Sequence, residues 1–128
     1  MLADAELIAF VPTVDLDRAL SFYQGVLGLQ LLEETPAAAV FQVDGTMLRI
    51  SAVPEIIPQP FTTLGWRVDD ITVAVRWLTD RGVRVNHYDG LDQDDLGIWT
   101  TPGRDRIAWF TDPDGNTLSV TEFAPLAR

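Results

Sequence analysis

Residues 14–29 read VDLDRALSFYQGVLGL and carry the clearest structural signal in the chain. The apolar, β-branched residues from Glu6 to Val14 predict a strand, and the Asp15 carboxylate is placed to cap the helix that follows. Apolar side chains recur at helical spacing, which predicts a helix from about Leu16 to Val26. Gly28 then stands where a helix end requires a left-handed backbone. A strand is therefore expected to lead directly into a helix.

Three short extended segments follow this helix, near Leu29–Glu34, Ala38–Val43 and Thr46–Ala52. Between the last two, Asp44-Gly45 is a strong signal for a hairpin turn. The first half of the chain is therefore predicted to form a βαβββ unit.

The second half repeats the pattern, since Val14 matches Val68, Asp15 matches Asp69 and Gly28 matches Gly82. Asp69 or Asp70 is expected to cap a second helix, which ends before Gly82. The extended segments predicted around this helix are Phe61–Val68, Val85–Tyr88, Ile98–Thr101, Arg106–Thr111 and Thr117–Phe123.

These elements predict an α+β fold in which two tandem βαβββ modules form a curved mixed sheet around a cavity, with the helices on the outer face. We expect a single domain, 1–128, made of half-repeats 1–53 and 61–128 joined by the proline-rich linker 54–60. A small molecule would occupy the cavity.

Composition excludes several classes of function. The chain has 128 residues, 47% of them hydrophobic, and 19 acidic against 9 basic side chains give a net charge of −10. This charge disfavours binding to nucleic acid or to an anionic membrane. The absence of Cys and the single His exclude thiolate chemistry and any site that needs several imidazoles. No basic leader and no apolar run of about 18 residues is found, so the cytoplasm is the expected location.

Two motifs resemble those of the vicinal oxygen chelate superfamily, which includes glyoxalase I, bleomycin-resistance proteins and extradiol dioxygenases. The first is Val14–Tyr23 followed by Val26–Leu29, and the second is Ile107–Phe110 running into Asp112–Asn116. The resemblance covers nearly the whole chain. These motifs are turn and packing features, because Asp-Pro-Asp-Gly fixes a tight turn, and they imply the fold more strongly than an activity.

Enzymes of this superfamily hold a divalent metal with four side chains, two from each half. The resemblance places these positions at Ile8 (or Ala9), Arg49, Thr63 and Ser119. A hydrocarbon and a permanent cation cannot bind a metal ion, and hydroxyls are poor ligands for transition metals. We therefore expect a member of the superfamily that lacks the usual metal ligands and has no cofactor.

The same positions are candidates for contact with a small molecule. Strand alternation places Met47 beside Arg49, with Leu48 and Ile50 under the helix. Arg49 is expected to pair either with a ligand anion or with a nearby acidic residue. The full candidate set is Arg49, Thr63, Ser119, Met47, Arg67, Trp99 and Trp109. Residues 88–99 form an acidic loop that is either a lid or a solvated surface loop.

Three functions fit these features. The first is a metal-free protein that binds a small anionic or aromatic molecule. The second is a metal-dependent lyase, isomerase or dioxygenase of the superfamily. The third is a metal-independent epimerase or lyase in which Arg49 stabilises an anion and His87 or Tyr88 acts as acid or base. The expected partners are a small molecule and a second copy of the chain in a homodimer, with no nucleic acid and no membrane.

Overall fold

The computed structural model describes residues 1–125 and divides into two compact units. The first unit comprises Met1–Pro58 together with Asp112–Asn116, and the second comprises Gln59–Thr111 and the chain from Thr117 onward. Among the described residues no helix is both long enough and apolar enough to cross a membrane.

The first unit is a βαβββ module whose four strands form one sheet in the order β1-β4-β3-β2. Strand β1 runs parallel to β4, and the other neighbours are antiparallel. Its elements are a short 3-10 helix (Leu2–Asp4), β1 (Ile8–Thr13), α1 (Leu16–Leu20), a π-helical segment (Ser21–Val26), β2 (Gln30–Glu34), β3 (Ala38–Val43) and β4 (Thr46–Ala52).

The second unit repeats this topology in a sheet of order β5-β8-β7-β6, with β5 parallel to β8. Its elements are β5 (Thr62–Arg67), α2 (Ile71–Asp80), β6 (Trp99–Thr100), β7 (Arg106–Thr111) and β8 (Thr117–Glu122). The α+β fold of two βαβββ modules, predicted from the repeat, is confirmed.

The predicted caps and turns explain why these elements begin and end where they do. Asp15 Oδ1 accepts a hydrogen bond from the Arg18 amide at 3.1 Å. Of the two candidates in the second half, Asp70 caps α2 by accepting from the Val73 amide at 3.2 Å. Gly28 adopts a φ of +72° after the first helical segment, a backbone conformation that costs other residues energy.

Each helix covers one face of its own sheet. Helix α1 packs against β3 and β4, and α2 packs against β7 and β8. Leu48 and Ile50 are buried on β4, as are Leu118 and Val120 on β8. The prediction that Leu48 and Ile50 lie under the helix is consistent with their burial, and burial contributes roughly 1.5–3 kcal/mol for each large apolar side chain.

Two local predictions need correction. The first helix leaves α-helical geometry after Leu20, and the Leu27 amide donates to the Phe22 carbonyl at 2.9 Å in a π-type bond. The strand predicted at Val85–Tyr88 is reduced to a single bridge between Val85 and Phe110. The following residues instead donate and accept hydrogen bonds within a loop, described below.

The turn Asp112–Asn116 is anchored in the first unit by two carboxylates. Asp112 is buried and accepts hydrogen bonds from the Tyr23 hydroxyl at 2.7 Å and from the Asn116 side-chain amide at 2.9 Å. Asp114 accepts from the Thr13 hydroxyl at 2.6 Å and from the Arg18 guanidinium at 3.0 Å. The predicted tight turn is confirmed, and its acidic side chains also fasten it to β1 and the helical segment.

Tyr23 is fully buried in this network, as is Thr13. Burial is the largest cause that raises the pKa of Tyr23 well above its ordinary value, and the charge and hydrogen bond of Asp112 raise it further. The phenol therefore stays protonated and continues to donate to Asp112 at any physiological pH.

Candidate functional site

A pocket of about 230 Å³ opens in the second unit, next to the start of β5. Its walls come from that strand, from the loop after α2, and from β7 and β8. The lining residues are Pro60, Phe61, Thr62, Tyr88, Leu91, Trp109 and Thr117. None of them carries a charge at neutral pH, so the pocket offers aromatic and aliphatic surface with three hydroxyl groups.

Aromatic rings form one wall of the pocket. The Tyr88 ring meets the Trp109 ring edge to face, with centroids 5.7 Å apart and an interplanar angle of 82°. Behind the wall, Trp99 stacks on Trp109 at 6.1 Å and 28°. Such ring pairs have fixed preferred geometries and bind flat apolar ligands through dispersion and burial. The arrangement suits a planar, uncharged molecule.

The predicted candidates Trp99, Trp109 and Ser119 are brought together on one face of the second sheet. Trp109 and Ser119 are direct cross-strand partners, and Ser119 pairs on its other side with Gly65. A Cβ atom at Gly65 would lie 2.8 Å from Ser119 Oγ, so only glycine fits here without a shift. Ser119 is buried and does not line the pocket.

Thr63 and Arg67 lie farther from the pocket and do not line it. Thr63 falls at an irregularity in the pairing of β5 with β8. The Arg67 guanidinium carbon lies 5.6 Å from the centre of the Phe123 ring, in a cation–π contact near the end of the sheet. The geometry therefore gives Arg67 a protein partner.

Met47 and Arg49 lie on β4 of the first unit, on the sheet face opposite α1. The cross-strand neighbours of Arg49 are Phe10 on β1 and Val40 on β3. In the part of the chain that the structure describes, no acidic side chain forms a salt bridge with Arg49. Of the two expectations for this guanidinium, pairing with a nearby acidic residue is therefore not observed.

The first unit also has an open cleft of about 470 Å³ that is acidic. It contains the carboxylates of Asp15, Asp17 and Glu34 beside Leu16, Thr35 and Pro36. Asp15 is already committed to capping α1, and like charges on the walls repel an anionic ligand. We assign no binding role to this cleft.

The residues at the four metal-ligand positions do not fit a divalent metal. Ile8 and Arg49 belong to the first unit, and Thr63 and Ser119 belong to the second. A hydrocarbon, a cation and two hydroxyls supply none of the imidazole, thiolate or carboxylate ligands that such metals require. Across residues 1–125, moreover, no group of three His, Cys, Asp or Glu side chains is placed to hold a metal ion.

Comparison with known proteins defines the family. Residues 7–120 match the family described as the glyoxalase/bleomycin resistance protein/dioxygenase superfamily. The chain belongs to this superfamily. The matched range contains both motifs that the sequence analysis identified.

Individual relatives differ in what they do. The catechol-2,3-dioxygenase of Bacillus subtilis (strain 168) is 27% identical over an alignment of 125 positions, and the alignment covers 83% of this chain but only 44% of that protein. The chain thus spans less than half of that relative.

Two solved structures share the fold. TnmS3, an antibiotic binding protein from Streptomyces sp. CB03234, is 25% identical with a TM-score of 0.69, covering 97% of this chain and 99% of that one. A lactoylglutathione lyase from Agrobacterium tumefaciens is 21% identical with a TM-score of 0.66, covering 93% of each chain.

Of the residues that line the pocket, only Trp109 belongs to the candidate set predicted from the sequence. Phe61 and Leu91 are absent from the candidate set because neither lies in a motif with a recognised spacing. The signal that could have identified Phe61 is its position directly after Pro60, at the junction between a stiff linker and a strand, where its aromatic ring is exposed.

Proposed function

We propose that this protein binds a small, planar, uncharged aromatic molecule in the pocket of its second unit, without a metal ion and without turnover. The observation that carries the proposal is the aromatic wall formed by Tyr88 and Trp109 beside a pocket lined only by uncharged residues. Apolar pockets with a few hydroxyl groups are the usual form of small-molecule sites.

The polar groups in the pocket refine the ligand class. The hydroxyls of Thr62 and Thr117 stand at the starts of β5 and β8, at paired register positions. The Thr117 hydroxyl donates to the Gln59 carbonyl at 3.5 Å and can accept a further hydrogen bond, whereas the Thr62 hydroxyl can donate or accept one. They suit an aromatic ligand that carries a hydroxyl or carbonyl group at its edge.

Two observations support binding rather than metal-dependent chemistry. The residue types at the family's ligand positions do not fit a metal, as shown above. A structural neighbour of matching length, TnmS3, is an antibiotic binding protein. The superfamily's lyases, isomerases and dioxygenases supply the alternative function, in which binding or turnover would depend on a divalent metal.

Isothermal titration with 2-naphthol tests the proposal, because this probe is flat, uncharged and carries one hydroxyl. We expect saturable binding with one molecule per chain, unchanged by EDTA. Naphthalene-2-sulfonate has the same ring system with a charge, and we expect it to bind at least tenfold more weakly, because a charge in an uncharged pocket loses hydration without compensation.

Matched variants locate the binding. Trp109→Ala removes the aromatic wall and should weaken 2-naphthol binding by about tenfold or more. Val73→Ala removes an exposed apolar side chain on α2 and should leave binding unchanged. Binding that disappears with EDTA, or that is equal in wild type and Trp109→Ala, contradicts the proposal and favours the metal-dependent alternative or another site.

We further propose that the protein is a homodimer, as expected from the sequence. The exposed apolar residues Ile8, Phe10 and Met47 on the first sheet support this proposal, since Phe10 is 59% exposed and such surface is unfavourable in water. Light scattering should give twice the mass of one chain, whereas the mass of a single chain at micromolar concentration would contradict it.

A further inference from the structure

The loop after α2 is organised around one side-chain amide, that of Gln93. Its Oε1 accepts a hydrogen bond from the Tyr88 backbone amide at 2.7 Å. Its Nε2 donates to the Asn86 carbonyl and to the Gly97 carbonyl, both at 2.8 Å. Gln93 also forms an isolated β-bridge with Trp99. One half-buried side chain thus ties together both ends of the loop.

The same loop supplies a wall of the pocket. The Asn86 amide donates to the Trp109 carbonyl at 2.7 Å, which attaches the start of the loop to β7. The Asn86 side chain donates to the Tyr88 hydroxyl at 3.1 Å. Tyr88 is therefore held at its backbone by Gln93 and at its hydroxyl by Asn86, while its ring rests against Trp109.

We propose that Gln93 is a positioning residue for the ligand pocket, which it preforms by fixing Tyr88 without touching the ligand. This inference rests on the proposed function. Because this wall is already ordered before the ligand binds, binding does not have to overcome the conformational entropy that ordering the wall would cost. The loop is accordingly a fixed wall of the pocket and not a lid, and its acidic side chains Asp89, Asp92, Asp94 and Asp95 are exposed, as expected for a surface loop.

The turn that follows Gln93 has hydrogen bonds of its own, in addition to the one that the Gly97 carbonyl accepts from Gln93. Asp94 Oδ1 accepts hydrogen bonds from the amides of Leu96 and Ile98, both at 2.9 Å. Loss of the Gln93 side chain should therefore free the Tyr88 segment and leave the Asp94 turn folded. This separation makes a positioning role distinguishable from a general role in stability.

The experiment measures 2-naphthol binding by Gln93→Ala and Gln93→Glu. A glutamate still accepts from the Tyr88 amide, but it places a carboxylate oxygen against the carbonyl oxygens of Asn86 and Gly97, which repel it. We expect a five- to tenfold loss of affinity in Gln93→Ala, from about 1 kcal/mol of ordering cost, and at least as large a loss in Gln93→Glu. Gln30→Ala, an exposed glutamine on β2, is the matched control and should bind as wild type.

A double-mutant cycle separates positioning from stability. In a Tyr88→Ala background the ring that Gln93 positions is absent, so Gln93→Ala should cause no further loss of affinity. An equal loss with and without the Tyr88 ring would overturn the proposal, because Gln93 would then act by another route. Unchanged affinity in Gln93→Ala would overturn it as well.

A second readout does not need a ligand. Hydrogen exchange of the Tyr88 amide should accelerate at least tenfold in Gln93→Ala, while the Ile98 amide, held by Asp94, keeps its rate. If wild type fails to bind 2-naphthol, the proposed function fails on its own. The positioning proposal is then decided by this exchange rate, and an unchanged Tyr88 rate refutes it.

Discussion

Replacing Tyr23 by Phe tests the network that fastens the Asp112–Asn116 turn to the first unit. The substitution removes one hydroxyl and leaves the ring packing intact. Asp112 loses the 2.7 Å hydrogen bond from Tyr23 but keeps those from Asn116 and from the Asp114 amide. A hydrogen bond to a charged, buried acceptor contributes about 1.5–3 kcal/mol. We expect the free energy of unfolding to fall by about 2 kcal/mol at pH 8.

Tyr23 also makes the stability of the folded protein depend on pH, in a direction that follows from its raised pKa. Burial, and then Asp112, raise the pKa of Tyr23 in the folded state above its value of about 10 in the unfolded chain. Above pH 10 the unfolded state loses the proton and the folded state keeps it, so stability present below pH 10 is lost as the pH rises. The slope is about 1.4 kcal/mol per pH unit.

Urea unfolding between pH 8 and pH 11.5 measures both effects. The chain has no Lys and only two Tyr, so few other groups titrate in this range. Wild type should lose about 2 kcal/mol between pH 10 and pH 11.5, whereas Tyr23→Phe should be nearly flat. The two stabilities should converge near pH 11.5. Equal alkaline slopes in wild type and variant would refute the reasoning.

Three further predictions follow from the sites described above. Arg49 has no acidic partner in the described chain, so acetate should raise the thermal midpoint of wild type and not of Arg49→Ala, while uncharged acetamide should raise neither. An equal acetate shift in the variant would contradict an anion-binding role. Gly65→Ala places a Cβ 2.8 Å from Ser119 Oγ, so the free energy of unfolding measured by chemical denaturation should fall by about 1–3 kcal/mol. Adding Ser119→Ala should restore most of that free energy. No rescue would show that the clash is elsewhere. Asp70→Ala removes the cap of α2, so the free energy of unfolding measured with urea should fall by about 1 kcal/mol. Asp69→Ala should leave this free energy unchanged. An equal loss in both variants would contradict the assigned cap.

The fold was largely predictable because its signals are local and repeated. Strands β3 and β4 have the predicted bounds, since Asp44-Gly45 fixes the turn between them and alternation fixes their faces. The strand predicted at Val85–Tyr88 was wrong because loop hydrogen bonds of Gln93 replace all but one strand pairing there. Side-chain bonds of that kind leave no periodicity in a sequence.

The candidate site was predictable only in part, because much of it depends on contacts that leave no local pattern in the sequence. Trp109 lies on a regular strand, so alternation placed it on the correct sheet face, although its contact with a ligand stays a prediction. Phe61 and Leu91 reach the pocket from a linker and a loop, whose paths depend on contacts distant in sequence. The anchoring of Asp114 to Thr13 likewise joins residues that no local pattern relates.

The most direct test of the account is to map 2-naphthol binding on the ¹⁵N–¹H spectrum of the protein with EDTA present. We expect the largest saturable shifts at the Trp109 indole and at the amides of Leu91 and Thr117, which line the pocket. Absence of any saturable shift, or shifts confined to other parts of the chain, would contradict the claim that this pocket binds an aromatic molecule without a metal.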